Sequence, residues 1–142
     1  MWQIGRVLEL SDDDWDAICA HGLRGYPLEA CGLLIGEWQG DSVVRFEPTP
    51  NAARSSRVYE VDGRDFLRVE RLADDDDLAI IGVVHTHTHT DAYPSPTDIA
   101  AAPDPHWHYP IVSLRGARPV MRSFRIVDGE VTEEPVSVVA RR

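Results

Sequence analysis

The chain has 142 residues, a length that suits one domain with a single hydrophobic core. All 14 basic residues are arginine and face 24 acidic residues, so the formal charge is -10 at pH 7. This charge argues against sequence-independent nucleic-acid binding and against a polybasic membrane patch. The absence of lysine excludes Schiff-base, pyridoxal-phosphate and Walker-A chemistry. We therefore expect one domain over residues 1–142, with neither nucleic acid nor membrane as partner.

The sequence contains no apolar signal core and no stretch long enough to span a membrane. Its two cysteines, Cys19 and Cys31, form neither a disulfide framework nor a CxxC metal motif. We expect two free thiols in a cytoplasmic protein. A structural disulfide between them is left open.

The first half of the chain predicts strands and helices in alternation. Residues 4–10 are predicted as a strand, and Ser11 begins a helix because Ser11 and Asp14 have capping-box spacing. Gly25 and Pro27 end that helix. A buried strand is predicted over residues 30–36, with a hairpin partner over 43–46. A loop over 47–57, a short strand over 58–61 and a helix over 65–72 follow.

The second half contains the strongest strand signal, a continuous β-branched run over residues 78–87 that suits a central position in a sheet. A short helix follows over residues 96–102. Three more strands are predicted over residues 109–114, 120–127 and 130–139, with a hairpin turn at Asp128-Gly129. The sum is a mixed α/β domain, with a sheet or partial barrel covered by two or three helices.

Two histidines at the end of the central strand are the main chemical signal. Side chains in a strand alternate, so His85 and His87 point to the same side. Asp98, in the first turn of the next helix, is the natural third ligand of a metal site. Two histidines and one carboxylate leave the fourth position of Zn²⁺ open, which is typical of catalytic sites. Such an ion acidifies water and polarises a carbonyl, provided that a nearby base takes the proton.

Structural alternatives exist for each of these residues. Ser95 and Asp98 also form a capping box with proline at the first helical position, and this alone accounts for both. The histidine run could be an exposed loop or an adventitious metal site, because HxH by itself is a weak motif. Glu29 stands at the start of a buried strand, where a carboxylate is most often exposed. If the two strand ends meet, Glu29 can act as the base.

Taken together, these residues resemble the signature of the JAMM (MPN+) zinc metallopeptidases. The signature consists of Glu29, then His85-x-His87, then Ser95-x-x-Asp98 after seven residues. The resemblance implies that His85, His87 and Asp98 bind one Zn²⁺. It implies that Glu29 is the general base and then acid, and that Ser95 hydrogen-bonds the oxyanion. The implied fold is a single JAMM/MPN domain with a cytidine-deaminase-like mixed sheet, although the HxE and PCxxC motifs of the zinc deaminases are missing.

Further segments resemble a bacterial branch of this family that releases cysteine from the C-terminal tail of a ubiquitin-like sulfur-carrier protein. The resemblance covers about Tyr26 to Val139 and is weakest in the first 25 residues. Many family members have Ser and Pro where this chain has Thr86 and Thr88, neither of which is a ligand position. A shifted pair of His87 and His89 would misplace Ser95 and Asp98, so His89 is expected to be a loop residue.

The branch implies a peptidase that cuts the amide after the glycine-rich tail of such a carrier. The tail is expected to bind extended beside a strand edge. An isopeptidase that removes ubiquitin-like modifiers from other proteins and a non-catalytic MPN scaffold remain as alternatives. A homo-oligomer is compatible with the sequence.

A second HxH pair, His106 and His108, has no accompanying carboxylate motif. We interpret it as the entrance to a strand, with the intervening Trp107 packed on the core.

Overall fold

The computed structural model describes residues 6–140 as eight strands and three helices. In chain order these are β1 (Leu8–Ser11), α1 (Asp12–Gly25), β2 (Cys31–Gly36), β3 (Arg45–Thr49), α2 (Gly63–Asp75), β4 (Ala79–His87), α3 (Pro96–Ala101), β5 (Tyr109–Ser113), β6 (Val120–Val127), β7 (Glu130–Glu134) and β8 (Val136–Val139).

Six strands form the main sheet in the order β3-β2-β4-β5-β6-β7. The β4–β5 pair is parallel and the other pairs are antiparallel. As predicted, β4 lies inside the sheet and is buried from Ile81 to His87, with core packing on both faces. The mixed α/β fold class is therefore confirmed, and the histidines stand at the end of an inner strand.

The two ends of the described chain pair with each other as a parallel two-stranded sheet, β1 with β8. The single strand predicted over residues 130–139 is wrong, because Pro135 separates β7 from β8 and cannot donate to a ladder. The turn before β7 is as predicted, since Asp128 and Gly129 have φ of 51° and 81°. Residues 4 and 5 of the predicted first strand lie outside the described residues.

Helix α1 begins as predicted, with the Ser11 side chain accepting a hydrogen bond from the Asp14 amide at 3.1 Å. Its buried face includes Gly22, where the helix comes very close to β4. A Cβ at this position would lie 2.8 Å from the Cγ2 methyl of Thr86. Glycine therefore sets the distance between this helix and the strand that carries the histidines.

The segment between β3 and α2 differs from the prediction. Residues 58–61 are not a strand but an irregular stretch organised by Asn51. The Asn51 amide donates to the carbonyls of Glu29 and Val58, each at 3.0 Å, and its oxygen accepts from two backbone amides. One asparagine thus ties this loop to the start of β2, a role that residue periodicity does not reveal.

The second HxH pair lies at the entrance to β5, as predicted. Trp107 packs in the core beside Phe66 and Tyr109. His108 is fully buried and hydrogen-bonds the Glu134 carboxylate at 2.7 Å and the Gly40 carbonyl at 3.0 Å. The carboxylate partner comes from a strand 26 residues away, so it has no local sequence signal.

Cys19 and Cys31 are both free thiols, as predicted.

Across residues 6–140, no helix combines the length and the apolar character needed to cross a membrane.

Candidate metal and catalytic site

Three buried side chains converge at the end of β4. The Nε2 atoms of His85 and His87 are 3.1 Å apart, and Asp98 Oδ2 lies 3.2 Å from the first and 3.1 Å from the second. These three atoms form a nearly equilateral triangle. Ligands of a tetrahedral ion at about 2.0 Å are separated by about 3.3 Å, so the triangle has the dimensions of one face of a zinc tetrahedron.

The capping box of α3 places Asp98 in this triangle. The Ser95 hydroxyl oxygen accepts from the Asp98 amide at 3.0 Å, and Asp98 Oδ2 accepts from the Ser95 amide at 2.9 Å. The helix-capping and metal-ligand interpretations of these residues are thus both compatible with the geometry. Because Ser95 Oγ accepts from a backbone amide, its own O–H proton is free to donate to a substrate.

Second contacts orient the two imidazoles. His87 Nδ1 donates to the Asp91 carbonyl at 2.7 Å, which turns Nε2 into the triangle. The His85 ring stacks on Tyr59, with centroids 4.2 Å apart and planes inclined by 23°. Tyr59 comes from the irregular stretch over residues 58–61, so the absence of a strand there matters for the site.

The electrostatics of the triangle suit a cation. Burial disfavours an ionised Asp98, but hydrogen bonds from the two histidines outweigh it and hold the pKa of this carboxyl well below its usual range. Burial lowers the pKa of His85, so this ring favours the neutral form that ligates metals. Two imidazole nitrogens and a carboxylate oxygen in mutual contact form a donor set that a divalent ion can satisfy.

Glu29 reaches the site through strand pairing. β2 and β4 are antiparallel with Cys31 opposite His85, and the Thr86 amide donates to the Ala30 carbonyl at 2.9 Å. The same register, continued by two residues, places Glu29 beside His87, on the face that carries both imidazoles. The two strand ends therefore meet, which is the condition for Glu29 to act on a substrate at the triangle.

Glu29 is buried, although a glutamate at the start of a strand is most often exposed. Its side chain is 4% exposed, and Oε1 has no hydrogen-bond partner among the described residues. Burial raises the pKa of Glu29 to about 7; His87 opposes this shift and Asp98 adds to it. A carboxyl group with this pKa can both accept and return a proton near neutrality.

This pKa predicts a pH-dependent stability of the metal-free protein. The folded-state pKa lies above the ordinary value of 4.5, so the contribution of Glu29 to stability is fully present below that pH and is lost as the pH rises through about 7. The full shift corresponds to a contribution to the free energy of unfolding of about 3 kcal/mol.

Urea unfolding of the wild type and of Glu29→Gln, at about pH 5 and about pH 8, tests this pH dependence. The variant is the reference because its amide does not titrate. We expect the wild type to lose more stability than the variant across this interval. Equal losses would show that Glu29 titrates normally.

Thr86, between the two histidines, is a site residue that the sequence did not reveal. Its side chain points to the opposite face, is buried, and its Oγ1 accepts from the Ala30 amide at 2.8 Å. This bond holds the residue next to Glu29 in register with β4. Many JAMM sequences have serine at this position, and serine carries the same hydroxyl group. The shared hydroxyl group could have indicated that this position makes a hydrogen bond.

Replacement of Thr86 by valine keeps the shape but leaves the Ala30 amide unpaired, which costs about 1–3 kcal/mol of stability. We expect the rate of hydrolysis to fall by about 10- to 100-fold as Glu29 shifts, since small misplacements have large effects. Thr86→Ser keeps the hydroxyl group and should retain the wild-type rate. Steady-state kinetics and urea unfolding of both variants test this, and a fully active Thr86→Val would contradict it.

His89 lies on the exposed loop after β4, as predicted, with its ring 5.8 Å from that of Tyr26.

Comparison with known proteins places this site in a family. Residues 11–127 match the model that describes prokaryotic homologs of the JAB domain. The chain belongs to this family. The matched segment contains all five residues of the predicted signature, and the match confirms the JAMM resemblance found in the sequence.

Named relatives of this JAB protein are a CysO-cysteine peptidase and a desampylase. It is 46% identical over 134 residues to the CysO-cysteine peptidase of Mycobacterium tuberculosis, and the alignment covers 94% of this chain and 92% of that protein. It is 32% identical over 114 residues to the desampylase of Haloferax volcanii, which covers 77% and 82%. These matches confirm the prediction that the chain is a hydrolase.

A solved structure agrees with the fold. The solution structure of a protein from Desulfitobacterium hafniense superimposes on this JAB protein with a TM-score of 0.86 and 32% sequence identity, over 94% of each chain.

Proposed function

We propose that this JAB protein is a zinc peptidase that hydrolyses the amide after the glycine-rich C-terminal tail of a ubiquitin-like sulfur carrier and releases a C-terminal cysteine. The observation that carries the proposal is the triangle of His85, His87 and Asp98 with the buried carboxyl of Glu29 beside it. The identity to the CysO-cysteine peptidase over nearly the whole chain supports this substrate class.

His85, His87 and Asp98 would hold one Zn²⁺ per chain, since they supply three ligands and no more. When bound, zinc supplies an electrophile that acidifies water and polarises a carbonyl.

Glu29 carries the proton in this scheme. It takes a proton from the attacking water and later donates it to the amine that leaves, so that one water is consumed and the C–N bond breaks. The products are the carrier with a terminal carboxylate and a free amino acid. A carboxyl group whose pKa burial has raised to about 7 suits both transfers, because it is readily ionised and readily reprotonated.

Ser95 donates its hydroxyl proton to the carbonyl oxygen as negative charge develops there. The capping box fixes the Ser95 oxygen and leaves the proton available, so the donor is positioned before the substrate arrives.

The desampylase relative favours a second candidate, an isopeptidase that removes ubiquitin-like modifiers from lysine side chains. A non-catalytic scaffold is disfavoured because it would need neither the buried triangle nor the unpaired Glu29. For the compartment we propose the cytoplasm, in keeping with the two free thiols.

The test offers the zinc-loaded protein two substrates side by side. One is a ubiquitin-like carrier that ends in Gly-Gly-Cys, and the other is the same carrier joined through its terminal glycine to a lysine side chain of a reporter protein. Intact-mass spectrometry follows both reactions. We expect faster release of cysteine. Preference for the isopeptide would favour the second candidate, and a protein that neither binds zinc nor cuts either substrate would be a scaffold.

A further inference from the structure

A cluster of arginines lies next to the site on one side. Arg115, Arg118 and Arg122 line a pocket of about 320 Å³ together with one acidic residue, Asp91. The chain as a whole carries -10, yet residues 105–127 contain four arginines and no acidic residue. Three guanidinium groups and the two carboxylates paired with them, Asp91 and Glu133, leave one net positive charge, which attracts an anionic group.

Short connections join this cluster to the metal triangle. The carbonyl of Asp91 accepts from His87 Nδ1 at 2.7 Å, while the carboxylate of the same residue accepts from Arg115 at 2.9 Å. Ser113 pairs with His87 across the β4–β5 ladder, so its side chain emerges on the face of the sheet that carries the imidazoles. The Leu114 amide donates to the His87 carbonyl at 2.9 Å, and Arg115 follows directly.

The opposite flank of the triangle has a different character. There the Tyr59 ring covers His85, and a mostly apolar pocket of about 380 Å³ continues from Tyr59 to Phe66 and Trp107. A peptide that crosses the site with its scissile amide at the triangle therefore has one end near apolar side chains and the other near guanidinium groups.

We propose that Arg118, supported by Arg115, binds the free α-carboxylate of the residue that leaves, and that this contact makes the enzyme select a C-terminal residue. The inference rests on the proposed function and deepens it. Cleavage of a single terminal residue yields a leaving group with a free carboxylate, whereas a lysine side chain in an isopeptide has none. A guanidinium recognises a carboxylate through two parallel hydrogen bonds.

The existing partners of the three arginines show which of them is available to bind a carboxylate. Arg115 is held by Asp91, and Arg122 by Glu133 through two hydrogen bonds of 3.0 Å and 2.7 Å. Arg118 is exposed and has no hydrogen-bond or ion-pair partner within residues 6–140. Arg118 is thus the guanidinium available to a ligand, and Arg115 in the same pocket is fixed in place by Asp91.

The test compares two carriers that differ only at the last group, one ending in cysteine as the free acid and the other in cysteine carboxamide. The zinc-loaded wild type should cleave the acid about 10- to 100-fold better in kcat/KM, the value of one charge-assisted contact. In Arg118→Gln, the rate on the acid should fall towards that on the carboxamide, which should itself be unchanged, because this variant leaves the contact between Arg115 and Asp91 intact. Arg71→Gln, an exposed arginine of α2, should leave both rates as they are.

Equal wild-type rates on the two carriers would overturn this inference while leaving the proposed function intact. So would an Arg118→Gln protein that retains the preference for the acid, or one that slows both substrates equally. If neither carrier is cleaved and only an isopeptide is, the proposed function fails and this inference fails with it.

Discussion

Replacement of Glu29 by glutamine is expected to abolish turnover while leaving the metal in place. Glutamine has the size and shape of glutamate but cannot accept a proton, and the loss of a general base or acid slows catalysis by about 10²- to 10⁴-fold. Glu29 is not part of the triangle of ligand atoms, so zinc content should stay at one ion per chain. Rates on the Gly-Gly-Cys carrier and metal analysis of the same samples measure the two quantities.

A matched control is Glu37→Gln, which makes the same chemical change at an exposed turn residue. It should leave rate, zinc content and stability unchanged. Full activity in Glu29→Gln would refute the proposed proton transfer, whereas loss of zinc from that variant would mean that Glu29 acts as a ligand.

The second large effect is expected for Asp98→Asn, which should lose both metal and turnover. The amide oxygen is a weaker ligand than the carboxylate and carries no negative charge to balance a divalent ion. Because a catalytic zinc ion contributes several kcal/mol to the transition state, the rate should fall by about 10³-fold or more. Zinc titration followed by activity measurements tests this directly.

Asp62→Asn provides the control, since the Asp62 side chain also accepts a backbone hydrogen bond at the start of a helix but, within residues 6–140, has no histidine partner. Asparagine caps helices as well as aspartate does, so α2 should remain folded in this control. In Asp98→Asn the side-chain amide oxygen can still accept from the Ser95 amide, so α3 should remain folded and circular dichroism should be unchanged. An Asp98→Asn protein that binds zinc normally would show that the triangle is not the metal site.

Local sequence patterns were sufficient for part of the site. The strand period of two placed His85 and His87 on one face, and the capping box placed Asp98 in the first turn of α3. Each of these features depends on residues that are close in the chain. The turn at Asp128-Gly129 was predictable for the same reason.

Non-local geometry could not be predicted in this way. The position of Glu29 beside His87 depends on a register between strands that are more than 50 residues apart. The stretch that carries Tyr59 has β-forming residues, yet Asn51 takes up the backbone groups that a strand would need. Pro135 interrupts a run that looks continuous in composition, because a missing amide outweighs the propensity of the flanking valines.

The close approach of α1 to β4 at Gly22 has a consequence for sequence drift in this enzyme. A methyl group there would press on Thr86, whose hydroxyl secures the amide adjoining Glu29. The catalytic rate therefore depends on a residue of α1, although this helix contributes no reacting atom. Alanine at position 22 is a small change that favours helix formation. Selection would nevertheless remove it, because it would lower turnover.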